Sequence, residues 1–155
     1  MAAERQAVDM VRDLVELVVD GLDLDAEVEV VAEEDAVTAV VQGEDVRLFI
    51  GRHGATIDAV QHLAHRVVLH HTHPPHPRVT VDAAGYRARR AEVLERQADE
   101  AAEDAVRFGR AVALDAMGAA ERKLVHEYLR ARGDVETYSE GEEPDRHLVV
   151  APLRD

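Results

Sequence analysis

Apolar residues along this chain follow helical spacing in some stretches and a two-residue alternation in others. Residues 4–20 place an apolar side chain every three or four positions, which predicts an amphipathic helix that ends near Gly21. The segments 27–33 and 36–42 are short and β-branched, and the acidic residues Glu34 and Asp35 between them predict a hairpin turn. The apolar positions of the first helix are Val8, Val11, Leu14, Val15 and Val18.

The middle of the chain adds two helices and a strand to this pattern. The short apolar segment 46–50 predicts a brief helix that leads into Gly51. Helical spacing resumes after Gly54, and the proline-rich segment 71–77 ends it because proline cannot continue a helix. Residues 78–82 alternate like a strand, so the first half predicts the order α-β-β-α-α-β. The apolar positions of the longer helix are Ile57, Val60, Ala64, Val67 and Val68.

A second domain is predicted to follow Gly85, so that the domains span residues 1–84 and 85–155. A long charged helix over 86–107, ended by Gly109, is predicted to link the two halves. Beyond it, the patterns predict a strand, a helix and two paired strands around the turn GEEPD, so the fold class is α+β. The helix carries an apolar stripe spaced by four, namely Leu94, Ala98, Ala102 and Val106. The later elements are predicted over 111–115, 117–133, 134–140 and 146–153.

Composition narrows the class of protein further. The chain has 155 residues, 46% of them hydrophobic, which suits one ordinary domain or two small ones. It has no cysteine, which excludes disulfides, thiolate zinc sites and a cysteine nucleophile. No apolar run approaches the roughly 18 residues of a membrane span. Because the N-terminus also lacks the features of a signal peptide, we expect a cytoplasmic protein without stable membrane insertion.

Charge is distributed unevenly along the chain. The net charge is -14, yet residues 46–90 contain seven bases, two acids and seven of the nine histidines. Residues 1–45 contain 14 acids and two bases, and residues 91–155 contain 16 acids and nine bases. Because salt screens charges over roughly 8 Å, a locally basic region can attract a polyanion even in an acidic chain. The acidic remainder is expected to weaken that attraction.

The basic third contains the sequence Ile50-Gly51-Arg52-His53-Gly54 between two predicted helices. Glycine lets a backbone approach phosphate oxygens without obstruction by a Cβ, and the N-terminus of the following helix offers free N–H groups. Arg52 between the glycines can pair with phosphate. On the loop alone, a glycine C-cap followed by a tight helix–helix turn is as good an interpretation as a phosphate-binding loop. Its place in the order α-β-β-α-α-β favours nucleic-acid binding.

A second candidate site lies on the predicted helix 117–133. Arg122, His126 and Arg130 are spaced by four, so they are expected to share one helix face. Two guanidiniums and an imidazole suit phosphate better than they suit catalysis, although a solvated charged face is the alternative interpretation. The residues left for the core are Leu124, Val125, Tyr128 and Leu129.

Two other kinds of site are not expected. Six histidines lie at irregular spacing over residues 62–76, and this spacing does not match a four-ligand zinc site, so we predict no metal and no cofactor. They are expected to add positive charge below neutral pH. The sequence has no Ser-His-Asp order, no Walker loop and no carboxylate pair with placed partners, so we predict no catalytic activity.

The motifs resemble those of a known family. Residues up to 84 resemble a type II KH domain, while MGAAERKLVHEYL with TYSEGEEPDRHLVVAPL resembles the R-three-H domain. Their order resembles the Jag family of bacterial SpoIIIJ-associated proteins, over about residues 5 to 153. The resemblance implies a type II KH domain joined by a long helix to a small α/β R-three-H domain. It also implies RNA contacts at Ile50, Gly51, Arg52, His53, Gly54, Arg110, Arg122, His126 and Arg146.

These observations predict a non-catalytic bacterial RNA-binding protein of the RNA chaperone or post-transcriptional regulator type. It would grip single-stranded RNA, or single-stranded DNA, with the glycine loop and the Arg122 helix. The alternative is a protein-interaction adaptor. For that role the resemblance implies a second small KH protein as partner, and links to cell-envelope growth, cell shape and membrane-protein insertion. On the RNA interpretation, Gly51→Asp with Gly54→Asp is expected to abolish binding while leaving the fold intact.

Overall fold

The computed structural model describes residues 2–153, which fall into two compact units, Met1–Arg87 and Ala88–Asp155. The first unit has the predicted order of elements. They are α1 (Ala2–Gly21), β1 (Ala26–Glu33), β2 (Ala36–Gly43), α2 (Arg47–Ile50), α3 (Ala55–His71) and β3 (Arg78–Ala83). The predicted hairpin is confirmed, because β1 and β2 pair in antiparallel register from Ala26 opposite Gly43 to Glu33 opposite Ala36.

The sheet of the first unit has the strand order β1-β2-β3, with β3 parallel to β2. A parallel return needs a crossover connection, and α2 and α3 supply it. Alternate residues of β2 and β3 are buried together with one stripe from each long helix. From α1 the buried residues are Ala7, Val11, Val15 and Val19, and from α3 they are Ile57, Val60, Ala64 and Val68.

Short α2 is anchored in the same core by Phe49, which is fully buried. Burying a phenylalanine side chain contributes about 1.5–3 kcal/mol. This contribution holds a helix of only four residues in place immediately before the glycine loop. The start of the loop is therefore fixed by the core of the first unit.

The second unit contains most of α4 (Tyr86–Phe108), followed by β4 (Val112–Ala113), α5 (Ala119–Leu129), β5 (Val135–Glu140) and β6 (His147–Pro152). Strand β6 lies in the centre of the sheet and pairs in antiparallel fashion with both β4 and β5. The predicted strand pair around the turn GEEPD is thereby confirmed. Helix α5 is shorter at both ends than the predicted 117–133.

Two expected core residues of the second unit lie at its surface. Val106 is 45% exposed, and Ala105 is buried in its place, beside Leu94, Ala98 and Ala102. Ala105 follows Ala102 by three residues, so the buried stripe of α4 takes a step of three where the prediction took a step of four. Tyr128 is 37% exposed, and its hydroxyl donates a hydrogen bond to Asp99 Oδ2 at 2.9 Å.

Candidate nucleic-acid interface

The turn between α2 and α3 has a conformation that glycine adopts easily and other residues do not. Gly51 and Gly54 have φ angles of +72° and +80°, and His53 between them has φ 53° and ψ 32°. A Cβ at Gly51 would lie 2.7 Å from the backbone nitrogen of Thr56. One at Gly54 would lie 2.8 Å from Cε1 of Tyr86. The fold of the turn itself therefore requires both glycines.

This requirement differs from the one expected from the sequence. Glycine was expected to expose backbone to a phosphate, but Gly54 is buried, and its missing Cβ leaves room for Tyr86 of the same unit. The expectation that aspartate at both glycines leaves the fold intact is therefore wrong. Each aspartate would need a positive φ and would overlap Thr56 or Tyr86.

The side chains between the two glycines are the exposed part of the loop. Arg52 and His53 are both exposed, and within residues 2–153 neither side chain makes a hydrogen bond or an ion pair. Their backbone N–H groups begin the single helical turn Arg52–Gly54, so they have no partner within that turn. Ile50 is half-buried against the core and anchors the loop. A free guanidinium and free N–H groups therefore occur next to each other, as phosphate binding requires.

Other arginines near the loop are already paired with carboxylates. Arg47 Nε lies 3.0 Å from Asp45 Oδ1, and this hydrogen bond holds the pKa of Asp45 below its usual value. Arg87 donates to Asp58 Oδ1 at 3.0 Å and to the Val81 carbonyl at 2.9 Å. These pairs compensate part of the positive charge that the sequence places around the loop.

Helix α5 does not present Arg122, His126 and Arg130 on one exposed face. Arg122 is only 8% exposed, whereas His126 and Arg130 are exposed. The Arg122 guanidinium donates to the Met117 carbonyl at 2.6 Å and to Glu143 Oε1 at 2.7 Å. It therefore ties the start of α5 to the turn between β5 and β6. Phosphate contact by Arg122 stays a prediction, and it would require release of Glu143.

His126 is positioned by a strand. Its Nδ1 lies within hydrogen-bonding distance of Thr137 Oγ1 on β5. When the hydroxyl donates, the neutral imidazole carries its proton on Nε2, and that N–H can donate to a phosphate oxygen. Neither Thr137 nor Glu143 was expected to act in the site, because each lies more than ten residues from its partner and no local spacing connects them.

The two remaining candidates have different surroundings. Arg146 is half-buried and donates from Nη1 to the Gly141 carbonyl at 2.8 Å, so it supports the turn between β5 and β6. Arg110 is exposed just before β4, with its guanidinium carbon 5.7 Å from the centre of the Phe108 ring.

The histidines of residues 62–76 contribute mainly to the end of α3. His71 Nδ1 lies 3.0 Å from the Val67 carbonyl, and His76 Nδ1 lies 2.9 Å from the hydroxyl of Thr72. Across residues 2–153, no group of three or more histidines and carboxylates could hold a metal ion. In the same part of the chain, no helix is long and apolar enough to cross a membrane.

Comparison with known proteins defines the two units. The model of the KhpA/KhpB KH domain matches residues 8–81, and the model of the R-three-H domain matches residues 92–152. The order of the two units is thus that of a protein in which a KH domain precedes an R-three-H domain. The chain belongs to the KhpB family, the family also called Jag.

Relatives from three bacteria carry the name RNA-binding protein KhpB. The protein of Clostridium symbiosum is 34% identical over 145 residues, covering 92% of this chain and 65% of that protein. The one from Lactiplantibacillus plantarum is 44% identical over 104 residues, covering 67% and 32%. The one from Bacillus subtilis is 34% identical over 116 residues, covering 74% and 55%. The matches thus span between about one third and two thirds of these relatives.

Proposed function

We propose that this protein is a non-catalytic RNA-binding protein that grips single-stranded RNA with the loop 50–54 and extends the contact over His126. One observation carries the proposal. Arg52 and His53 are exposed and unpaired within residues 2–153, on a turn whose backbone is fixed by two positive-φ glycines. The names of the relatives support RNA as the ligand.

The contact would form with little rearrangement. Phe49 and Ile50 anchor one side of the loop and α3 begins on the other, so the N–H groups of Arg52 and His53 are held in place before RNA arrives. Preorganised donors bind a phosphate at a lower entropic cost than mobile ones. The Arg52 guanidinium would then pair with the same or the next phosphate.

The test is the double variant Arg52→Asp/His53→Asp, which reverses charge at the loop without changing either glycine. Aspartate tolerates the left-handed conformation of His53, so the turn is expected to persist. Fluorescence anisotropy with a random-sequence single-stranded RNA pool should show at least a tenfold loss of affinity. That loss corresponds to about 1.4 kcal/mol.

The matched control is Arg66→Asp/His70→Asp. It makes the same change of charge at two residues in the last turns of α3, away from the loop. If both double variants lose affinity equally, the effect is one of net charge, and the loop is not the binding site. If the loop variant binds RNA as tightly as the unaltered protein, the assignment of loop 50–54 fails.

We also propose a second small KH protein as partner. The model that matches residues 8–81 describes KH domains of both KhpA and KhpB, and this supports the proposal. A pull-down with and without nuclease treatment separates the adaptor role from RNA binding, because partners held through RNA are lost after digestion. A role in cell-envelope growth and cell shape, and a cytoplasmic location, stay predictions.

A further inference from the structure

The C-terminus of α4 exposes an aromatic ring between two arginines. Phe108 is 55% exposed, whereas Phe49, the other phenylalanine of the chain, is fully buried. The guanidinium carbons of Arg107 and Arg110 lie 5.3 and 5.7 Å from the centre of the Phe108 ring. Within residues 2–153 neither arginine forms an ion pair, although Glu103 and Asp104 lie one turn earlier on α4.

The end of the helix holds this group of residues in place. Gly109 has φ +61°, and the N–H of Arg110 donates to the Ala105 carbonyl at 3.2 Å. A left-handed glycine followed by this bond is the Schellman arrangement that ends a helix. Ala105 is buried in the core of the second unit. The backbone on both sides of Phe108 is thus fixed while its ring remains exposed to solvent.

An exposed ring beside unpaired guanidiniums has the chemistry of a nucleotide subsite. Single-stranded nucleic acids are bound by stacking bases on aromatic rings while cations follow the phosphates. An exposed cation–π contact is worth about a factor of two to five in affinity, whereas base stacking on an aromatic side chain is worth about five to 150. A base would therefore displace a guanidinium from the ring, and the released guanidinium would pair with phosphate.

We infer that Phe108, with Arg107 and Arg110, forms a stacking subsite for one base of single-stranded RNA. This inference rests on the proposed function. The subsite lies on the same unit as His126. Arg110 is two residues before Val112, which pairs with Val150, and Val150 pairs with Thr137, the partner of His126. Two strand spacings, about 10 Å, therefore separate Val112 from Thr137, which places the segment that follows the subsite in the same sheet as the residue that orients His126.

The test uses the absence of tryptophan from this chain. In Phe108→Trp, the introduced indole is the only one, and stacking of a base on it should quench its fluorescence when the random-sequence RNA pool is added. Val106→Trp is the matched control, because Val106 is 45% exposed on the same helix end and is not one of the three residues of the subsite. Its fluorescence should change much less.

Affinity gives the second measurement. Phe108→Ala should weaken RNA binding about tenfold, while Val106→Ala should leave it unchanged and Phe108→Trp should retain it. If Phe108→Ala and Val106→Ala bind RNA equally tightly while the unaltered protein also binds it, the stacking subsite is wrong and the proposed function still holds. Equal quenching of the two tryptophan variants also overturns the stacking subsite. If the unaltered protein binds no RNA, the proposed function fails and the subsite fails with it.

Discussion

Arg122 offers the sharpest test, because its burial predicts a role in stability where its position in the motif predicts one in binding. Arg122→Ala removes a charge-assisted hydrogen bond to the Met117 carbonyl, worth about 1.5–3 kcal/mol. It also removes the pair with Glu143, whose side chain is 57% exposed, so solvent screening limits that part to about 0–1 kcal/mol. The expected loss is roughly 1.5–4 kcal/mol, since the two contributions add.

Scanning calorimetry of the full chain measures this loss. For a unit of this size, 1 kcal/mol shifts Tm by about 4–8 °C, so the transition of the second unit should fall by roughly 6–32 °C. Glu143→Gln is the matched control and should lower Tm less than Arg122→Ala does, by at most about 8 °C, because the Met117 bond remains. Two results together would refute the reasoning. The Tm of Arg122→Ala would lie within about 2 °C of that of the unaltered protein, and the slope of log RNA affinity against log salt concentration would become shallower by about 0.7, as expected for one lost phosphate contact.

Two further predictions concern the loop and the tyrosine on α5. Gly54→Ala should destabilise the protein in urea by about 2–3 kcal/mol, because it combines a positive φ with a Cβ that overlaps Tyr86. Gly21→Ala, where a Cβ meets nothing within 4 Å, should be neutral or stabilising, and equal effects would contradict the steric reason for Gly54. The hydrogen bond to Asp99 raises the pKa of Tyr128, so its contribution to stability is present below the ordinary tyrosine pKa and lost as the pH rises through the raised one. In an absorbance titration, Tyr128→Phe should remove one tyrosine step that lies above the ordinary tyrosine pKa; steps above that pKa that are unchanged in Tyr128→Phe would contradict this.

The order of elements could be predicted because periodicity records which face of each element is buried. Val11 and Val15 on α1, and Val37, Ala39 and Val41 on β2, follow the helical and strand periods, and all are buried. Val106 was predicted from a spacing of four, whereas the buried residue at that turn of α4 is Ala105, three residues after Ala102. Because a helical turn has about 3.6 residues, steps of three and of four both fit a helix, and α1 keeps the step of four from Ala7 to Val19. The spacing alone therefore does not decide between Ala105 and Val106.

The candidate site was predicted less completely than the fold, since partners distant in sequence decide which charges are free. Arg122 and His126 share a motif spacing, but Glu143 and Met117 bury the first, while Thr137 orients the second and leaves it exposed. Nothing within a helical turn of Arg122 indicates that a carboxylate 21 residues later will bind it. The turn between α2 and α3 could be located from the sequence because its glycines and exposed residues are contiguous, while its contact with RNA stays a prediction.

Ion pairs with carboxylates also change how the basic region, residues 46–90, should attract RNA. Four of the seven arginines in residues 46–90 already have partners. Arg47 pairs with Asp45, Arg87 with Asp58 and Arg90 with Glu121, and Arg89 also has a partner. Within residues 2–153, the guanidiniums of Arg52, Arg66 and Arg78 have no carboxylate partner. Three such guanidiniums in residues 46–90, within a chain of net charge -14, exert only a weak long-range attraction on RNA. Binding should therefore depend on donors held in place at the loop, with a shallow salt slope of about -0.7 for each phosphate contacted.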